Sequence, residues 1–143
     1  MVMAVKERVY SREMPATKAA AGLARSGVKS VLLELGFAEA VEDGCLIVGE
    51  LVNNAIAVSS EASIIRVFAG LRPRGLVVAV WDADQRMPRR RPAPQMSLEE
   101  LDLRPENFDR NGGWGLGIVA ALARECWVER TNPGKWVCAS LNV

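Results

Sequence analysis

The chain contains no histidine. That absence excludes Ser–His–Asp and Cys–His catalysis, histidine metal sites and imidazole proton transfer together. A general base must come from another side chain, and carboxylates are the natural candidates. A large excess of charge of one sign is also missing. Lys and Arg number 18 against 17 Asp and Glu, a net of +1, which excludes a basic nucleic-acid module or an acidic tail as the organising feature. Long apolar runs are absent: Leu76–Trp81 is among the longest, far short of the ~20 residues a membrane span needs. Near the N-terminus, Lys6, Glu7, Arg8 and Arg12 stand where a signal peptide would carry its apolar stretch. Cysteine is scarce. Cys45, Cys126 and Cys138 are odd in number, form no C-x-x-C pair and sit among apolar neighbours, so they read as small core residues, not zinc ligands or a disulfide frame. Together these absences predict a soluble, reduced, cytoplasmic chain with no direct nucleic-acid or membrane partner.

What is present suits one domain. The 143 residues are half hydrophobic, enough for a core, and neither an internal repeat nor a shift in composition divides residues 1–143. Residues 4–10 are expected to form an edge strand. Pro15 suits the first turn of a helix that ends at Gly36, with Leu23, Val28, Val31, Leu32 and Leu35 as its apolar stripe. A second helix is expected from Ala38 to Val58. Ser63–Leu71 and Leu76–Trp81 read as a hairpin around Arg72–Gly75. Residues 82–110 hold four of the seven prolines and much charge, the composition of a functional lid or a disordered loop. Gly115–Arg124 reads as a helix, and Cys126–Thr131 and Trp136–Val143 as a second hairpin. Helices and hairpins segregate along the chain, which predicts an α+β fold with one sheet covered on one face.

Three segments carry candidate chemistry. At about 100° per residue, with Val48 at zero, the stripe Val41, Cys45, Val48, Val52 and Ala55 spans roughly −20° to 60°. Asn53, Glu50 and Asn54 fall near 140°, 200° and 240°, flanked by Leu46, Ile47 and Leu51. A carboxylate and two amides in such surroundings need partners. The same positions also fit a helix packed on one side with polar residues facing water, and periodicity does not decide between these. The second segment, Asn111–Gly117, runs four glycines into an apolar helix; clustered glycines let backbone N–H groups approach a phosphate. Gly115–Ala120 satisfies G-x-G-x-x-A, but it follows a Pro-rich polar stretch and leaves too little chain for a dinucleotide-binding βαβ unit. A glycine turn capping a helix remains the plain alternative. In the third segment Asp82 ends the apolar run Val77–Trp81, where an aspartate commonly caps a turn.

In this order the three segments resemble the motifs of the GHKL ATPases, whose members include gyrase, heat-shock chaperone, histidine kinase and mismatch-repair ATPases. Glu50-Leu51-Val52-Asn53-Asn54-Ala55 resembles the N box. Asp82-Ala83-Asp84-Gln85-Arg86-Met87-Pro88 resembles the first glycine box in its bacterial anti-sigma-factor form, and Gly113-Trp114-Gly115-Leu116-Gly117 the second. The likeness covers nearly the whole chain and is greatest to stand-alone anti-sigma factor serine/threonine kinases of the actinobacterial type.

The resemblance implies a Bergerat-type two-layer sandwich. A mixed, mostly antiparallel sheet would be covered on one face by helices, with an ATP pocket between the helices and a lid at residues 83–110. It implies ATP and Mg²⁺ as ligands. Glu50 would be the general base, Asn54 the Mg²⁺ ligand and Asp82 the acceptor of the adenine amino group. Asn53, Pro88, Leu116 and the glycines 113, 115 and 117 would complete the nucleotide site. Its implied partners are a sigma factor and an anti-anti-sigma protein of the STAS type, and homodimerisation is a family habit. Five departures stand out: Asp84 replaces a glycine, Trp114 replaces a common arginine for which Arg110 is the available substitute, Ala57 and Val58 replace a basic residue and a histidine, and Trp136 replaces a common threonine.

Overall fold

The computed structural model describes residues 8–60, 62–84 and 116–143. In chain order the elements are β1 (Val9–Pro15), α1 (Ala19–Glu34), α2 (Val41–Val58), β2 (Ile64–Arg72), β3 (Gly75–Asp82), α3 (Leu116–Leu122), β4 (Ala123–Arg130) and β5 (Lys135–Leu141), with a 3-10 turn at Ala38–Ala40 leading into α2. The strands form one sheet in the order β1-β2-β3-β5-β4. Every pairing among them is antiparallel. The α+β architecture is therefore as expected, and the described sheet is wholly antiparallel where a mixed one was anticipated.

The edge strand lies later than its sequence suggested. Pro15 does not open α1; it closes β1 opposite Ile64. An edge strand tolerates a proline because one row of its backbone donors has no ladder partner. The stripe of α1 also differs. Ala20, Ala21, Ala24, Val28, Val31 and Leu32 are buried, while Leu23 is exposed. With Val28 at zero, Leu23 lies about 140° away and the alanines lie within about 80°, so small residues, not the leucine, face inward. The predicted end of α1 is observed. Gly36 takes φ +85°, its N–H donates to the Leu33 carbonyl, and Phe37 N–H donates to that of Leu32, a Schellman termination.

Alternation divides the sheet into two faces. Leu76, Val78 and Val80 of β3 and Val137, Ala139 and Leu141 of β5 join Val28, Leu32, Ile47, Val48 and Val52 in the main core under the helices. Each fully buried aliphatic side chain of this kind contributes about 1.5–3 kcal/mol. The helices approach closely at Gly44, where a Cβ would stand 2.8 Å from Leu32 Cδ1. On the opposite face Val77, Ala79 and Cys138 pack with Phe68, Trp127 and Trp136. Arginines lie over two of those rings: Arg72 over Phe68 at 4.4 Å and Arg74 over Trp127 at 4.1 Å. A shallow groove of about 420 Å³ runs along this outer face.

The cysteines part company. Cys138 is buried, and its thiol is pushed up to about 12, chiefly by burial, with Glu129 adding to the rise and Arg74 opposing it. Cys45 is half-buried. Cys126 is exposed, contrary to the core reading: it lies on the edge strand β4, which has a neighbouring strand, β5, on one side alone. Among the described residues, no helix is long and apolar enough to cross a membrane.

Candidate functional site

The faces of α2 follow the angular reading in part: Val48, Val52 and Ala55 of the expected stripe are buried, Val41 and Cys45 are half-buried, and Leu46 beside the polar cluster is exposed. Gly44, Ile47, Val48, Leu51, Val52 and Ala55 are buried, Glu50 and Asn54 are half-buried, and Asn53 is exposed. The helix packs on α1, on α3 and on the sheet at β3 and β5, so its apolar arc is shared between the helices and the strands. Glu50 forms no hydrogen bond or ion pair with the described residues, and burial alone pushes its carboxyl above the ordinary carboxylate value. Asn54, one turn on, has a buried Nδ2 without a hydrogen-bond partner among the described residues. The described residues engage neither the Glu50 carboxylate nor this Asn54 nitrogen. Asn53 points to solvent and makes no comparable case.

Asp82 stands at the other end of the chemistry. It shares the helix-covered face with Val78 and Val80, and the register of β3 on β5 sets it directly opposite Lys135. The two side chains are each 3% exposed and form an ion pair, with Lys135 Nζ 2.8 Å from Asp82 Oδ1. Nζ also donates to the Asp84 carbonyl at 2.7 Å, and the Asp84 N–H donates to the same Oδ1 at 2.9 Å. Burial pushes the Asp82 carboxyl up, while the bond and charge of Lys135 and the Asp84 amide pull it down.

The arrangement depends on the turn before β5. Gly134 takes φ +86°, and a Cβ there would overlap the Asp82 carbonyl and the Trp81 ring. Only glycine lets the chain pass this close and still deliver Lys135 onto Asp82. Asp84 in the place of a glycine costs the backbone nothing, since no described residue other than glycine has positive φ.

Of the expected glycine-box residues, Leu116 and Gly117 open α3, and the space where a Gly117 side chain would stand is open. Pro88, Arg110, Gly113 and Gly115 lie outside the described residues, as does the lid from residue 85 onward. The outer-face groove contains none of the expected site residues. Asp82, by strand parity, faces the opposite layer. Sequence reasoning missed Lys135 altogether. Its one signal was that it is among only four lysines in a chain with 14 arginines, which did not place it.

The donor chemistry fits a hydrated hard cation beside a nucleotide. Asn54 carries an amide that the fold leaves unused, and rotation of that amide presents its oxygen in place of the nitrogen. Amide oxygen, phosphate oxygens and water are the ligands Mg²⁺ prefers. An antiparallel sheet under two long helices is the α+β sandwich that the resemblance to the GHKL ATPases implies. The comparison with protein families agrees. The chain belongs to the histidine kinase-like ATPase domain family, whose model matches residues 14–141. No curated protein matches the chain.

Proposed function

We propose that this histidine kinase-like domain is an ATP-dependent anti-sigma factor and serine/threonine kinase. It sequesters a sigma factor in the cytoplasm and phosphorylates a serine on an anti-anti-sigma partner of the STAS type. Reversal of that phosphorylation releases the sigma factor by partner exchange. Homodimerisation belongs to the same reading.

The observation that carries this reading is the pair on α2: a half-buried carboxylate without a partner among the described residues, one turn from an amide whose buried nitrogen is likewise unpaired there. Glu50 accepts the proton of the attacking serine hydroxyl. A carboxyl raised by burial is a stronger base than an exposed one and suits that task. Asn54 would hold Mg²⁺, which when bound neutralises charge on the phosphate oxygens. Asp82 accepts a hydrogen bond from the adenine amino group, and Gly113, Gly115, Leu116 and Gly117 shape the phosphate cradle, with Arg110 as its cation.

A second reading is favoured by the departures from the family pattern. Asp84 adds a negative charge, while Trp114 and Ala57 stand where relatives carry cations; the domain would then be a partner-switching module that binds ATP without transferring phosphate. Incubation with γ-labelled ATP and a cognate anti-anti-sigma domain separates the two. Label on the partner's serine supports the kinase. Saturable ATP binding with no label on a confirmed partner supports the module.

A further inference from the structure

The Asp82–Lys135 pair is incompletely satisfied. An ammonium has three N–H donors. Lys135 uses one on Asp82 Oδ1 and one on the Asp84 carbonyl, and no other described residue accepts the third. On the carboxylate, both bonds from described residues fall on Oδ1, which leaves Oδ2 without a partner there. So two side chains, each about 97% buried, present one unused donor next to one unused acceptor. The pair is neutral as a unit, so it selects neither a phosphate nor a cation. It matches a neutral ligand edge on which a donor and an acceptor lie side by side.

We propose that Lys135 is a specificity-determining residue of the nucleotide site: its third N–H donates to the ring nitrogen N1 of adenine while Asp82 Oδ2 accepts from the adjacent amino group. This rests on the reading of Asp82 as the base-recognising residue. Asp82 alone requires only an amino group. With Lys135 beside it, the site also requires an acceptor next to that amino group, and the base is read through two contacts of opposite polarity. Hydrogen bonds to charged groups of this kind change affinity by about 10- to 100-fold.

Calorimetric titration of the whole chain with ATP and with 1-deaza-ATP, which lacks only the N1 acceptor, tests this. Wild type is expected to bind the 1-deaza analogue at least ~10-fold more weakly, and Lys135→Met to bind the two equally. Equal binding by wild type overturns the proposal without any variant. Should Lys135→Met fail to fold, Lys135→Gln replaces it. That amide has two N–H groups, enough at most for the bonds to Asp82 and Asp84, so the preference should again vanish. Purine riboside triphosphate, which lacks the amino group, separates the two levels of the argument. If wild type prefers ATP over it and Asp82→Asn does not, the base site is correct, and a retained preference for N1 in the Lys135 variant defeats only the role of Lys135. If neither protein distinguishes it from ATP, the reading of Asp82 fails first.

Discussion

The two polar centres on the helix-covered side treat charge in opposite ways. Asp82 meets a lysine and a backbone amide at once, in a pair closed off from water. Glu50 and Asn54 sit half-buried and are given nothing by the described residues. A buried charge left unpaired costs several kcal/mol, so the first centre is one the fold must hold together. The second is tolerated because partial exposure keeps its cost low, and that leaves both side chains available for chemistry. Recognition by a rigid pair and reaction by an uncommitted one is the division of labour that this contrast teaches.

The contrast is broken most severely at Glu50. Glu50→Gln keeps the volume and an acceptor but cannot take a proton, so phosphoryl transfer to a partner serine should fall by ~10²–10⁴. ATP affinity should stay within a few-fold. Asn54→Ala should lower both, because it removes a Mg²⁺ ligand. Full transfer by a folded Glu50→Gln protein removes that residue from the role of base.

At the closed centre the expected effect is on stability. Lys135→Met leaves Asp82 buried and unpaired and should cost about 3–5 kcal/mol in denaturant unfolding, whereas the double variant Lys135→Met, Asp82→Leu should recover most of the loss. The exposed pair of Arg66 with Glu13, 3.0 Å apart, supplies the control: Glu13→Ala should cost no more than about 1 kcal/mol. Similar losses at both sites would mean that burial does not set the value of the Asp82 pair.

The smallest effect is a pH dependence. Burial raises the Glu50 carboxyl in the folded state. A raised acid contributes stability below its unfolded value, about 4, and that contribution is lost as pH rises through the higher folded value. Glu50→Gln lacks this loss. Its melting temperature relative to wild type should therefore be higher at pH 7 than at pH 4. An identical difference at both values would show that the carboxyl is not perturbed by folding.

The sequence made α2 legible because eighteen residues of helical period give both the buried arc and the angular position of Glu50, Asn53 and Asn54. Both hairpins were legible for a similar reason, since turn residues punctuate alternating strands. Pro15 misled because a proline suits a helix start and an edge-strand end alike. Leu23 misled because hydrophobicity was counted without its angle, and the inward alanines carried the phase. Lys135 was illegible for a different reason. It lies 53 residues from Asp82, and the two meet only because β5 inserts between β3 and β4. Strand order is a property of the whole sheet, and no local pattern near Lys135 reports it.

Titration of Mg·ATP into wild type and Asp82→Asn tests most directly whether Asp82 belongs to a nucleotide site. Wild type should bind saturably, and the folded variant at least ~10-fold more weakly, a loss of about 1.4 kcal/mol. Equal affinity in the two proteins, with the variant shown to be folded, would contradict the account.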